Sequence, residues 1–279
     1  MSVLTRRLLA FILTTCICTF MPVSQCLAGA WTMEEGKLYE RFGFNYYFAD
    51  SQFNRENDGS NFKNFRDMNF SNYLEYGLSN RFTIINALYY KMLEKEADSS
   101  KLSSNGLGDI DIGVKGKLAE GSWGVVSTQG LVKIPGIYSK NDQLPLGNGQ
   151  VDVELRGLYG KSLWRYIPGY CNVELAYRWR YGDPSDELRY IVEFGMDFPM
   201  DFYGRIKLDG ILSMNNGRQF GTSGNPMATN NFDLGKLDMA LGYRITKKWG
   251  VEACYTPEIY GRNTTEGATY TIAITYQTK

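Results

Sequence analysis

Hydrophobic and polar residues alternate with a period of two along most of the chain. In residues 106–118, Asp109, Asp111, Lys115 and Lys117 share one parity, while isoleucine, valine and leucine occupy the other. Successive side chains of a β-strand point to opposite faces, so this stretch predicts a strand with one charged and one apolar face. Such a strand suits either a soluble sheet, whose apolar face meets a core, or a membrane barrel, whose apolar face meets lipid.

The same alternation, bounded by turn residues, predicts about twelve strands. Their lengths are close to the ~9–11 residues that a tilted strand needs to cross a bilayer. The predicted strands are 36–48, 68–78, 82–93, 107–118, 123–134, 150–161, 169–181, 187–198, 203–214, 232–244, 249–259 and 268–278.

The connections between these strands alternate in length. Short turns are predicted at 79–81, 119–122, 162–168, 199–202 and 245–248, and longer polar loops at 49–67, 94–106, 135–149, 215–231 and 260–267, with 182–186 as a brief exception. Short turns on one side and long loops on the other are typical of outer-membrane barrels. Both chain termini fall on the short-turn side, which predicts that they are periplasmic.

The apolar parity of the predicted strands is nearly free of charge. In 169–181, for example, Val173, Leu175 and Trp179 oppose Glu174 and Arg178. A charge on the lipid face at mid-bilayer costs about 2 to 4 kcal/mol. This separation therefore favours lipid as the partner of the apolar face, with Glu40 as an exception near a strand end.

Aromatic residues cluster at strand ends beside the short turns. Aromatic girdles at the bilayer interfaces produce such a pattern, although aromatics are common in any β-sheet. The residues are Tyr76, Phe82, Tyr159, Phe198, Tyr243, Trp249 and Tyr276. Taken with the loop asymmetry, they predict an all-β fold: a single transmembrane antiparallel up-and-down β-barrel of about 12 strands.

The N-terminus has the form of a secretory signal peptide. Arg6 and Arg7 precede an apolar run, which ends near the small residues of Ala28-Gly29-Ala30. This arrangement predicts cleavage after Ala30, so that residues 1–30 are the signal and 31–279 form a barrel in a Gram-negative outer membrane. Lipidation of Cys26 is an open alternative, which Gln25 disfavours because a small residue is expected at that position.

Composition narrows the possible chemistry. The chain has no histidine, which removes histidine-based nucleophilic systems and metal sites. Acid pairs such as Asp109 with Asp111 are too common in a charged wall to indicate glycosidase chemistry. The 30 basic and 30 acidic residues give no electrostatic case for nucleic acid. We expect no enzyme activity and no cofactor, and no disulfide between Cys171 and Cys254, which have opposite parity.

Charged side chains of both signs share the predicted lumen face. They are either the wall of a polar solute path or an ion-pair mesh that stiffens a narrow barrel, and the two interpretations are compatible. The predicted path residues are Arg41, Glu75, Asp109, Asp111, Lys115, Lys117, Asp152, Glu154, Arg156, Glu174, Arg178, Arg180, Arg189, Glu193, Arg205, Lys207, Asp209, Asp238, Arg244 and Glu252.

Three stretches resemble a known outer-membrane family. They are Glu75-Tyr-Gly-Leu-Ser-Asn-Arg-Phe82, Gly106-Leu-Gly-Asp-Ile-Asp-Ile-Gly-Val-Lys115, and Leu131 to Pro135 leading into Leu146-Gly-Asn-Gly-Gln-Val-Asp152. The chain resembles the transporter family named for the meta-pathway of phenol degradation. The resemblance implies a porin-like barrel that passes small solutes, hydrophobic or aromatic compounds among them.

The expected function is thus an outer-membrane channel or facilitator for small solutes. Its partners are the lipid bilayer, the small solute and, during biogenesis, the outer-membrane assembly machinery; the oligomeric state is left open. Two alternatives remain. One is a plugged structural or adhesive barrel that acts through loops 49–67 and 215–231. The other is a soluble periplasmic β-sheet lipid carrier.

Overall fold

Thirteen strands form one antiparallel sheet. The computed structural model describes residues 29–53, 64–96, 100–182, 184–214, 225–227 and 229–278. The strands are β1 Leu38–Phe53, β2 Phe65–Ser79, β3 Phe82–Glu96, β4 Lys101–Leu107, β5 Ile110–Gly121, β6 Gly124–Ile134, β7 Asp152–Ser162, β8 Gly169–Arg180, β9 Glu187–Asp197, β10 Phe202–Ser213, β11 Asp233–Arg244, β12 Trp249–Arg262 and β13 Thr264–Gln277. None of the described residues belongs to a helix long and apolar enough to cross a membrane.

The sheet closes into a barrel because β1 pairs with both β2 and β13. β4 and β5 lie end to end along β3, with Tyr90 opposite Leu107 and Ala87 opposite Asp111. Gly108, between them, donates its backbone N–H to the carbonyl of Tyr89 (2.8 Å). The two strands therefore fill one position of the ring, and the prediction of a twelve-stranded antiparallel barrel is confirmed.

Strand ends on the long-loop side differ from the prediction. β1, β2 and β3 extend into the predicted loops 49–67 and 94–106, and β4 lies in the second of them. The predicted loop 260–267 is wrong: β12 and β13 are joined at Asn263 alone, which has a φ of 57°. Glycine and asparagine indicated a loop, but pairing with β1 keeps this stretch extended. Residues 54–63, 97–99, 215–224 and 228 of the predicted loops lie outside the described residues.

The polarity of the two faces is the reverse of that in a soluble protein: the outer face is apolar and the inner face is charged. Ile112, Val114, Leu175 and Ile272 are exposed on the outside, whereas the charged residues that alternate with them are buried inside. Glu40 lies on the outer face, as its parity predicts, and accepts a hydrogen bond from Asn72 (2.9 Å). This arrangement matches a barrel surrounded by lipid, where an apolar exterior is the stable one.

The predicted aromatic strand ends lie on the outer face beside the short turns, where Phe202 packs on Tyr243 and Trp249 on Tyr276, with ring centroids 5.0 and 4.6 Å apart. These pairs form part of a girdle at the short-turn end. The two described cysteines are free: Cys254 is buried inside and Cys171 lies on the opposite face.

Candidate functional site

The interior wall carries a network of ion pairs that is densest on β7, β8 and β9. Glu154 accepts hydrogen bonds from Arg156 and Arg178, with N–O distances of 2.7 and 2.8 Å. Arg189 approaches the same carboxylate to 3.9 Å, and Arg156 also binds Glu174. Alternation places these side chains on one face of neighbouring strands. Because buried Glu154 has two arginine partners, the cost of removing its charge from water is offset.

The network extends from β7 in both directions. Lys133 of β6 binds Asp152 at 2.9 Å and Asp109 at 3.3 Å. On the other side, Arg180 binds Glu187 of β9 at 2.8 Å. Asp152 and Glu187 therefore each face a base on an adjacent strand, and Asp109, just before β5, faces Lys133 of β6. The shared parity of successive strands is what brings these residues together.

A second set of pairs lines the remaining wall. Arg205 of β10 binds Asp238 of β11 at 3.0 Å and approaches Glu193 to 3.8 Å. Arg41 of β1 binds Glu252 of β12 at 2.8 Å, across the intervening strand β13. The Arg41 side chain thus connects two strands that are not neighbours. This connection stiffens the wall near the closure of the barrel.

Four charged groups on the wall stand apart from this network. Lys207, Asp209 and Lys236 are half-buried and form no ion pair within the described part of the chain, although Asp209 and Lys236 occupy partnered positions on β10 and β11. Asp111 has a buried oxygen, Oδ1, with no hydrogen-bond partner among the described residues. Lys207, Asp209 and Lys236 are only half-buried and can therefore contact water inside the barrel.

Residues 29–37, here called the N-terminal segment, cross the lumen at the short-turn end. The backbone N–H of Met33 donates to Thr83 Oγ1 (2.8 Å) on β3, and that of Gly36 donates to the carbonyl of Gly77 (2.9 Å) on β2. At the far end of the segment, Ala30 N–H donates to Asn172 Oδ1 (3.1 Å) on β8. The segment therefore narrows the opening of the lumen at the short-turn end.

A buried ion pair on the wall anchors the N-terminal segment. Lys115 Nζ lies 3.1 Å from Glu75 Oε2 and 2.9 Å from the carbonyl oxygen of Gly29. The side chains of Lys115 and Glu75 are each 1% exposed. Tyr73 donates a further hydrogen bond to Glu75 (2.5 Å). The pair is thus shielded from water and is coupled directly to the N-terminal segment.

A cavity of about 370 Å³ lies between the N-terminal segment and the short turns. Lys117 belongs to this region, where it binds Glu120 at 2.7 Å, rather than to the middle of the wall. Lys117 is therefore not part of the ion-pair network described above. The cavity is lined by Trp31, Thr32, Glu34, Asn80, Lys117 and Glu120.

Residues 135–151, here called the mouth loop, cover part of the opposite end. Leu144 and Leu146 pack with buried Phe65 of β2 and Leu93 of β3. Tyr138 donates to Asp109 and accepts a hydrogen bond from the backbone of Gly149. Burial, followed by the hydrogen bond to Asp109, raises the pKa of Tyr138 well above its ordinary value. The lumen is consequently narrowed at both ends.

The structure brings the sequence-predicted site residues to the interior, in four groups. Those in ion pairs along the wall are Arg41, Asp109, Asp152, Glu154, Arg156, Glu174, Arg178, Arg180, Arg189, Glu193, Arg205, Asp238, Arg244 and Glu252. Those without an ion pair among the described residues are Asp111, Lys207 and Asp209. Glu75 and Lys115 hold the N-terminal segment, and Lys117 lies beside the short turns.

The sequence-based list omitted several interior groups. Glu187 joins Arg180 and Arg189, and its parity with Arg189 was a signal for it. Lys91 and Asp67 also pair, at 3.6 Å. The mouth loop was signalled only by the apolar residues 144–146 within a polar loop. The N-terminal segment gave no periodic signal because its contacts run through its backbone.

The interior can bind or orient ions and small polar molecules. It offers carboxylates, guanidinium groups, ammonium groups and hydroxyls, all on a closed sheet. Within the described ranges, no group of three or more cysteine, aspartate or glutamate side chains is placed to hold a metal ion. The arrangement is that of a charged wall rather than of a nucleophile with its base.

Comparison with known proteins identifies the fold of the chain but does not assign it to a family. No family model matches the chain, and no curated protein matches it. An outer-membrane channel from Pseudomonas putida F1 has a TM-score of 0.72 at 14% identity, covering 89% of this chain and 98% of that chain. The NanC porin has a TM-score of 0.53 at 11% identity, covering 86% and 98%. The chain therefore has the fold of outer-membrane β-barrels, and its likeness to the phenol meta-pathway family stays a prediction.

Proposed function

We propose that this protein is a non-enzymatic outer-membrane channel for small, water-soluble solutes, exported by means of its N-terminal signal. The half-buried, unpaired charges on the wall carry the proposal. A barrel that only needed stiffening would pair every interior charge, because an unpaired buried charge is costly. Lys207, Asp209 and Lys236 form no direct ion pair within the described residues, although Asp209 interacts electrostatically with both lysines, and this spacing fits a hydrated interior.

The wall favours solutes without a large net charge. Arginines and carboxylates alternate around it, so neither sign forms a continuous ladder. Hydrophobic or aromatic solutes, which the family resemblance implies, have no apolar track in this network. We therefore infer that small polar or zwitterionic molecules pass best, with aromatic compounds as the comparison class. Rings of charged side chains set selectivity in other channels.

Single-channel recording in planar bilayers tests the channel and its lining together. Asp209→Asn removes a negative charge and should shift the reversal potential in a salt gradient towards anion selectivity. Lys236→Met should shift it towards cation selectivity. Leu208→Ile is the matched control, because Leu208 lies on the other face of β10 and should leave the potential unchanged.

Proteoliposome swelling then ranks the solutes. An amino acid, a neutral sugar and a phenol of similar size are compared at equal osmotic strength. For each solute, the rate of entry into protein-free vesicles is subtracted from the rate of entry into vesicles that contain the protein. We expect the corrected rates for the amino acid and the sugar to exceed that for the phenol. The proposal fails if folded protein passes none of the three and if neither charge variant changes the reversal potential.

A closed structural barrel is the second candidate function. It is favoured by one specific observation, the coverage of the lumen at both ends by the N-terminal segment and the mouth loop. A closed barrel predicts no conductance in the wild type and no solute entry. Conductance that appears only after removal of the N-terminal segment would instead indicate a channel that is shut at rest.

A further inference from the structure

We propose that export processing cuts the chain between Ala28 and Gly29, so that Gly29 and Ala30 belong to the mature protein and its N-terminal ammonium group lies inside the barrel. The proposal rests on export of the chain, but not on its conductance. It replaces the cleavage after Ala30 that the sequence predicts. Residues 1–28 lie outside the described residues, so the argument uses only Gly29 and the residues that follow it.

Gly29 and Ala30 make specific contacts with three wall residues. Ala30 donates its N–H to Asn172 Oδ1 (3.1 Å) and accepts a hydrogen bond from Ser127 Oγ (2.5 Å). The carbonyl oxygen of Gly29 accepts from Lys115 Nζ (2.9 Å). Asn172 and Ser127 are each 1% exposed. Removal of the two residues would thus take a partner from buried polar groups, which is unfavourable.

The backbone of Gly29 lies close to the wall. A Cβ atom there would lie 2.3 Å from Asn172 Cγ. A larger residue at this position would therefore require the Asn172 side chain to move. A residue that is removed before the barrel folds has no reason to match the wall in this way. The match therefore indicates that Gly29 is present in the folded protein.

Cleavage after Ala30 would also place a charge in an apolar environment. Ala30 is 0% exposed and packs with Val125 and Leu158, beside Trp31. An ammonium group on Trp31 would adjoin this cluster and would be costly to bury. An ammonium group on Gly29 would instead lie next to Asn172, which binds Glu174 (2.8 Å).

The signal sequence permits either cut. Ala28-Gly29-Ala30 places small residues three and one positions before the later cut, and Cys26-Leu27-Ala28 does the same for the earlier one. The choice between them is therefore made here by the fit of residues 29 and 30 inside the barrel.

Intact-mass measurement and N-terminal sequencing of protein purified from outer membranes provide the first test. We expect the sequence Gly-Ala-Trp and a mass that exceeds that of a chain starting at Trp31 by one glycine and one alanine residue. A chain that begins at Trp31, or at a lipid-modified Cys26, overturns the proposal. Either of those results leaves the proposed channel function intact, because a barrel with another N-terminus can still conduct.

Two matched variants of the full chain test the cut without requiring a stable barrel. Cys26→Glu changes the residue three positions before the proposed cut, and Ala30→Glu changes the residue immediately before the later one. Processing is followed on gels after a short labelling pulse, when folding has little influence. We expect precursor to accumulate for Cys26→Glu and normal processing for Ala30→Glu. The reverse pattern, or normal processing of both variants, refutes the proposal.

Discussion

The buried pair of Lys115 and Glu75 offers the sharpest test of how the wall is held together. Lys115→Met keeps the length of the side chain but removes its charge. Glu75 then remains buried with Tyr73 as its hydrogen-bond donor. Breaking a buried pair by removing one partner typically costs about 3 to 5 kcal/mol, because the other charge is left uncompensated. We expect Lys115→Met to lower the free energy of unfolding by about that amount.

A double variant separates the pair from general loss of packing. In Glu75→Gln/Lys115→Met both charges are absent, so we expect much of the lost stability to return. Lys117→Met is the control: it lies two residues further along β5 and its pair with Glu120 is partly exposed. Exposed pairs contribute about 0 to 1 kcal/mol, so this change should have little effect.

Urea titration of protein in lipid vesicles, followed by heat-modifiable gel mobility, measures these differences. The gel separates folded barrel from unfolded chain directly. The reasoning is refuted if Lys115→Met and Lys117→Met shift the unfolding midpoint equally, or if the double variant is less stable than Lys115→Met. Lys115→Met also releases the carbonyl of Gly29, so conductance should rise in the variant that remains folded.

Three further outcomes follow from the geometry. Deletion of residues 31–36 leaves the small residues before both possible cleavage positions unchanged. It should increase single-channel conductance, because Met33 no longer lies across the lumen. Leu175→Arg, on the exposed outer face at the middle of β8, should destabilise the barrel by about 2 to 4 kcal/mol in vesicle urea titrations. Gly195→Leu should lower the thermal midpoint on heated gels, because a Cβ atom there would lie 2.2 Å from Tyr170 Cε1.

Much of the fold could be predicted from the sequence because parity is a local property. The alternation in 169–181 identified β8 to within a residue, and the charges of both signs marked one face of most strands. Lipid on one side forces the apolar parity to be continuous, so the signal is stronger than in a half-exposed soluble sheet. Most residues of the candidate site could be predicted for the same reason, because they lie on regular strands.

The remaining features could not be predicted because they depend on contacts between distant segments. Thr264 and Thr265 occupy a stretch with the composition of a loop, yet pairing with β1 makes them part of a strand. The N-terminal segment is held in the lumen by hydrogen bonds from its backbone N–H groups. Because nearly every residue has such a group, these contacts leave no signal in the sequence. The mouth loop is anchored by Leu144 and Leu146, whose partners come from β1, β2 and β3. None of these contacts has a periodicity in the sequence.

The pairing of the wall charges also bears on what the lumen can recognise. Glu154 and its arginine partners already satisfy one another, so a solute gains little by replacing them. Lys207, Asp209 and Lys236 lie beside one another on β10 and β11 and form no direct ion pair within the described residues, so a solute can interact with them without breaking one. Because they carry both signs on adjacent strands, a molecule with a cationic and an anionic group close together matches them better than a molecule with one charge. If the barrel is the channel we propose, we expect the ion-pair network to set the shape of the passage and the groups on β10 and β11 to set its chemical selectivity.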